Sequence, residues 1–163
     1  MAAYITNEAE GPGISSESRY EQLCDALARA RTERAARREE CFAFIERTIQ
    51  GLIEHLEIPS ELVLLAPPDG TPGEELTVGA ATRLGHDGFW QTGVHLKIEG
   101  KSFGSPSLIV ALVLHVKKQE GAFLFKLTPD GPTLKVSDDP DADATEVHEF
   151  VFHRLLDSLR VPG

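Results

Sequence analysis

From Ser18 to Leu56 the chain contains one glycine, Gly51, and no proline, and Pro59 is the next residue that cannot continue a helix. Ser18 followed three positions later by Glu21 is a capping-box pattern. The spacing therefore predicts a helix over about residues 17–57. Such a helix is roughly 60 Å long at about 1.5 Å per residue, about twice the reach of a nine- or ten-residue strand at roughly 3.3 Å per residue. It cannot pack along its whole length on a sheet of its own. It must overhang that sheet, break near Thr32 into a hairpin, or pair with a helix of another chain.

The side chains carried by this run sharpen the problem. At about 100° per residue, Tyr20, Leu23, Leu27, Cys41, Ile45, Ile49, Leu52 and Leu56 share one arc of about 80°, the stripe of a helix with a buried side. Arg31, Arg34 and Arg38 fall in the same arc. Guanidinium groups without partners do not enter a dry core, because desolvating each costs several kcal/mol. The middle of the helix is therefore expected to lie off the core. It is either a solvated stretch supported by spaced pairs such as Arg29 with Glu33, or a cationic ridge that docks a partner.

After Pro59 the pattern changes to short β-rich runs near residues 61–66, 75–84, 89–98, 107–117, 122–127 and 133–136. Turn chemistry separates them at Pro68-Asp69-Gly70, Asp87-Gly88, Gly100 to Pro106, Glu120-Gly121 and Pro129-Asp130-Gly131. Connections this short favour antiparallel neighbours, since parallel pairing needs a crossover of about a dozen residues. The acidic stretch Asp138 to Asp143 then leads into a closing helix over about 143–160, capped by Asp143 or Thr145. The fold class predicted is α+β: a five- to six-stranded antiparallel meander with a long amino-terminal and a short carboxy-terminal helix. Residues 1–15 read as a flexible tail and residues 16–163 as one domain. The order helix, strands, helix is similar to that of small acidic secretion chaperones, which place an extra helix among the strands; none is visible here, and the chain is assigned to no family.

Ser107 to Leu114 is apolar on both faces of a strand, with Leu108, Val110, Leu112 and Leu114 on one side and Ile109, Ala111, Val113 and His115 on the other. On the preceding run, Phe89, Gln91, His95 and Lys97 share the mixed side. One sheet face is thus a full core, and the second is apolar only at its centre. The second helix of the chain is the expected cover, a partner surface or small-molecule pocket the alternative. Phe89, His95, Ile109, Val113 and His115 are the candidate residues of that pocket or face, with Trp90 a further candidate at its mouth.

The length of 163 residues and 41% hydrophobic content suit one packed domain. A formal charge of −10 and pI near 5.0 oppose nucleic-acid binding, although five of the ten arginines fall within ten residues, Arg29 to Arg38. No apolar run is long enough for a bilayer and no signal segment is visible, so no membrane association and a cytoplasmic location are expected. Cys24 and Cys41 lie about 260° apart on one helix and read as two ordinary buried thiols.

Apparent metal and catalytic motifs fail on spacing. His148 and His153 are five apart rather than four, and His148 falls within the apolar arc of Val147, Val151, Leu155 and Leu159, as a buried, hydrogen-bonded histidine would. Asp139, Asp141 and Asp143 imitate a calcium loop, but Pro140 interrupts it and position twelve is Phe150. His86, Asp87 and His95 read as a solvated turn. No nucleophile elbow, phosphate loop or Cys-x-x-Cys is present. No catalytic residue, metal ligand or cofactor is assigned.

These readings lead to a non-enzymatic protein–protein interaction or adaptor module, chaperone-like in role, which self-associates through its long helix or holds another protein. Arg31, Arg34, Arg37 and Arg38 are its partner-binding residues. The rival from another class is a small-molecule-binding or catalytic domain with a cavity between sheet and helices. A weaker alternative is nucleic-acid binding through the arginine ridge, which the overall acidity opposes.

Overall fold

The computed structural model describes residues 17–72 and 76–160, and the tail predicted for residues 1–15 lies outside them. In chain order the elements are helix α1 (Arg19–Leu56), a 3-10 turn (Ser60–Leu62), β1 (Val63–Ala66), α2 (Val78–Ala81), β2 (Thr82–Leu84), β3 (Trp90–Ile98), β4 (Leu108–Gln119), β5 (Ala122–Lys126), β6 (Leu134–Ser137) and α3 (Thr145–Arg160). This is an α+β chain.

Helix α1 begins as the capping box predicts: the Ser18 hydroxyl accepts the Glu21 N–H at 3.1 Å. It ends in a Schellman-type cap. The Ile58 N–H reaches back to the Ile53 carbonyl at 3.2 Å, and Glu57 takes the left-handed conformation at φ 53°. Between these ends the helix is continuous. Thr32 marks no hairpin; its hydroxyl donates to the Ala28 carbonyl at 3.1 Å within the helix.

By packing, the chain divides inside α1, with residues up to Arg38 in one unit and Glu39–Gly163 in the other. In the first unit every described side chain is exposed except Ala30, which is half-buried. The apolar stripe predicted to be buried from Tyr20 onward is not: Tyr20, Leu23 and Leu27 are 74%, 68% and 47% exposed. Cys24 shares that exposure, so only Cys41 is a buried thiol, and both are free.

In the second unit β3 to β6 form an antiparallel meander, while β1 and β2 both pair with one edge of β3. β1 lies along residues 93–96 of β3 and β2 along residues 90–92. The single strand predicted for 75–84 is replaced in part by the helical turn α2, because the Thr77 hydroxyl caps the Ala80 N–H at 3.2 Å and turns the chain before β2 begins. The β4–β5 hairpin closes through Glu120 and Gly121 at φ 42° and 77°, both positive as a two-residue type I′ turn requires.

The core lies on one face of this sheet. Val110, Leu112 and Leu114 of β4 join Val94, Leu96, Phe123 and Phe125 from its neighbours, Cys41, Phe44, Ile45, Ile49 and Leu52 of α1, and Val147, Val151 and Leu155 of α3. The Phe44 and Phe123 rings stack at 4.3 Å. The apolar stripes of both helices enter this one cluster, so the expectation that a helix covers the second face is overturned.

Lys118 ties three elements together at the rim of the core. Its ammonium lies 2.6 Å from Glu40 of α1 and 3.0 Å from Asp138 after β6, above the Phe123 ring. Burial works against its charge, but the two carboxylates outweigh it and hold its pKa above the ordinary value. His148 differs from expectation: it is half-buried, and its shielded Nε2 has no hydrogen-bond partner among the described residues. Gly51 makes room for it, since a Cβ there would stand 2.5 Å from that nitrogen.

Two stability changes follow. Glu57→Gly removes a side chain from a left-handed position and should raise stability by up to about 1 kcal/mol in urea denaturation. Lys118→Ala leaves two carboxylates facing each other and should lower it by about 1–2 kcal/mol with an unchanged slope; no measurable loss would show that the ion pairs contribute nothing.

Candidate functional site

The second sheet face carries the odd-numbered side chains of β4 and those that register with them. Arg83 stands opposite Gln91, Gln91 opposite His115, and His115 opposite Lys126. These four residues form one row across β2, β3, β4 and β5, about 14 Å long at roughly 4.8 Å per strand. The next row is small and apolar, with Gly93 between Ala66 and Val113.

Gly93 lets the chain fold down onto this face. A Cβ at that position would meet the carbonyl oxygens of Ala66 and Pro67 at 2.5 and 2.9 Å, so only glycine permits the close approach. The segment after β1 and the segment after β5 then flank the row. They enclose a cleft of about 410 Å³ lined by Asp69, Arg83, Gln91, Val113, His115 and Leu127, with Pro68 and Pro129 at its walls.

The charges in and beside the cleft are unequally engaged. Lys126 is 7% exposed; its ammonium donates to Asp87 at 3.2 Å and to the Pro129 carbonyl at 2.9 Å, and lies 4.1 Å from the centre of the Phe89 ring. Burial raises the Asp87 pKa, but the Phe89 N–H at 3.1 Å and the Lys126 ammonium outweigh it and hold the carboxyl below its ordinary range. Arg83 is fixed by one nitrogen, Nη1, which donates to the Ala80 and Thr82 carbonyls at 2.7 and 3.0 Å. His115 is 3% exposed, and its shielded Nδ1 has no hydrogen-bond partner among the described residues. Burial, and then the Lys126 charge, hold its pKa below the ordinary 6.5 against a weaker pull from Asp87. The imidazole is uncharged at neutral pH.

Of the residues predicted for this face, Val113 and His115 line the cleft, and Phe89 lies under Lys126 beside it. His95 is half-buried further along β3, opposite Leu64 and Ala111. Ile109 lies beyond it, 62% exposed. Trp90 points to the core face instead, edge-on to Phe42 at 5.3 Å. His86 is exposed, and no metal-binding group of three side chains occurs among the described residues. Arg31, Arg34, Arg37 and Arg38 are all exposed on α1. Sequence reasoning missed Asp69, Arg83, Gln91 and Lys126. The lysine, ending a run of Ala-Phe-Leu-Phe, was the one local signal, since a cation at the end of an apolar strand needs a partner.

A second recess, of about 570 Å³, lies between α1, β1 and α2 and is lined chiefly by Phe42, Glu46, Ile49, Ile53, Leu65 and Val78. None of the predicted pocket residues reaches it, and no shielded, unpartnered side-chain atom of the described residues lines it.

A histidine with its pKa held down takes up its proton first in the unfolded chain, so its contribution to stability is complete above about pH 6.5 and is lost as pH falls below that value. His115→Leu removes the unpaired nitrogen. It should leave stability at pH 7 unchanged or raise it by up to about 1 kcal/mol, and reduce the loss between pH 7 and 5; an unaltered pH profile from thermal melts would contradict this account. No family model matches the chain, and no curated protein or solved structure matches it either.

Proposed function

We propose that this chain is a non-enzymatic protein–protein interaction module that binds a second copy of itself through residues 19–38 of α1. One observation carries the reading: over five helical turns an apolar group and a basic group share one exposed arc. Tyr20, Leu23 and Leu27 occupy its first part and Arg31, Arg34 and Arg38 its second. Spacing of this kind is how a helix presents anchors to another protein.

The charge distribution favours a second copy as the partner. Six arginines against three carboxylates give residues 19–38 a formal charge of +3, so the rest of the chain carries −13 of the total of −10. A basic helix and an acidic remainder on each copy attract across copies, and opposite fields of this kind steer association and set its orientation. The three apolar side chains would supply the buried area and Arg37 a charge at the flank. An adaptor of this design holds proteins by surface complementarity, and we place it in the cytoplasm, where an exposed Cys24 stays a thiol.

Light scattering at tens of micromolar should give a dimer. Arg31→Glu, Arg34→Glu and Arg38→Glu together should weaken dimerisation by at least about tenfold without changing helix content, because all three positions are exposed. A monomeric wild type, or a triple variant that dimerises as before, sinks the reading.

A further inference from the structure

We propose that the cleft on the second sheet face binds a small monocarboxylate with a short apolar body. The site stands on groups that the fold holds in place but leaves partly unengaged, and it does not depend on the docking role of α1.

Arg83 is the anion-binding group. Its Nη1 is tied to two backbone carbonyls, and its remaining guanidinium N–H groups make no hydrogen bond or ion pair among the described residues. A fork fixed on one side and open on the other is preorganised for a planar, two-oxygen acceptor, which a carboxylate supplies. Gln91 and His115 continue the row from Arg83 along the same wall. His115 is the second element: an almost fully buried imidazole that lines the cleft and whose Nδ1 has no hydrogen-bond partner among the described residues. Buried polar groups in folded proteins are paired with few exceptions, and an exception lining a cleft marks a place for a ligand. Uncharged, the ring can turn to bring that shielded nitrogen to the cleft and donate one hydrogen bond without adding a second cation.

The charge balance sets the ligand's valence. Lys126 stands next in the row, but its ammonium is engaged by Asp87 and the Pro129 carbonyl. That leaves the Arg83 guanidinium as the open cation and Asp69 as a carboxylate in the lining. With one open guanidinium and one carboxylate the lining is close to neutral, so a single negative charge, which pairs one to one with Arg83, is repelled less than the double charge of a phosphate monoester. Val113, Leu127 and the two prolines give the remaining wall an apolar character, and about 410 Å³ accommodates a body of several carbons.

Two probes of equal length separate the contributions: hexanoate and hexanol, titrated into the full chain and followed by the NMR signals of the His115 ring. Hexanoate should saturate with a Kd of about 1–10 mM, as suits a ligand of this size. Hexanol should bind at least about tenfold more weakly, and inorganic phosphate should not compete. Arg83→Met should reduce hexanoate to the level of hexanol while leaving hexanol binding unchanged, which shows that the cleft still forms. His115→Leu, followed by calorimetry, should weaken hexanoate by about tenfold. Shifts that stay linear to 50 mM (at least about fivefold above the expected Kd), equal binding of hexanoate and hexanol, or an Arg83→Met variant that binds hexanoate as the wild type does would each overturn the proposal.

Discussion

Burial of one face of a twisted antiparallel sheet by two helices is the constraint from which the other features descend. Val110, Leu112 and Leu114 on β4 are covered by Phe44, Ile45 and Ile49 from α1 and by Val147, Val151 and Leu155 from α3. At about 25 cal/mol per Å² of apolar surface, no ion pair among the described residues rivals this burial. Because both helices place their stripes in the same cluster, neither is available for the opposite face. That face is covered only where the chain can come down upon it, and Gly93 is where it does so.

The cleft is a by-product of that asymmetry. An apolar second face would have aggregated or demanded a partner, and the polar row of Arg83, Gln91, His115 and Lys126 prevents this along its inner part. The arrangement also separates two kinds of cation. Lys126 is a structural cation, buried against Phe89 and paired with Asp87, whereas Arg83 holds its orientation through backbone carbonyls and keeps binding capacity. His115 sits between them, uncharged because a second positive group so near Lys126 would be opposed by both desolvation and repulsion.

Much of the architecture was legible from local rules. The capping box at Ser18 and Glu21, the stop before Pro59, the turn at Glu120-Gly121 and the start of α3, read as capped by Asp143 or Thr145 and found with the Asp143 carboxylate accepting the Thr145 N–H, each depend on residues within a few positions. The misses involve distance. The stretch 75–84 looked like one strand because its composition allows it, yet a single Thr77 cap converts part of it to a helical turn. Tyr20, Leu23 and Leu27 continued the apolar period of α1 and were read as buried; periodicity records which residues share an arc but not what stands opposite them.

The sequence by itself determined the two main helices, the strands outside residues 75–84, their antiparallel pairing, the place of the arginines along one helical arc and the apolar centre of the second sheet face, because these follow from backbone propensity and side-chain period. Only the tertiary structure decided that both helices share one face, that β1 and β2 divide an edge of β3, and that Arg83, Gln91, His115 and Lys126 stand in register. Register joins residues tens of positions apart, and a shift of one residue would have turned the same four side chains toward the core. No local pattern carries that choice; it is made when the whole apolar face closes at once.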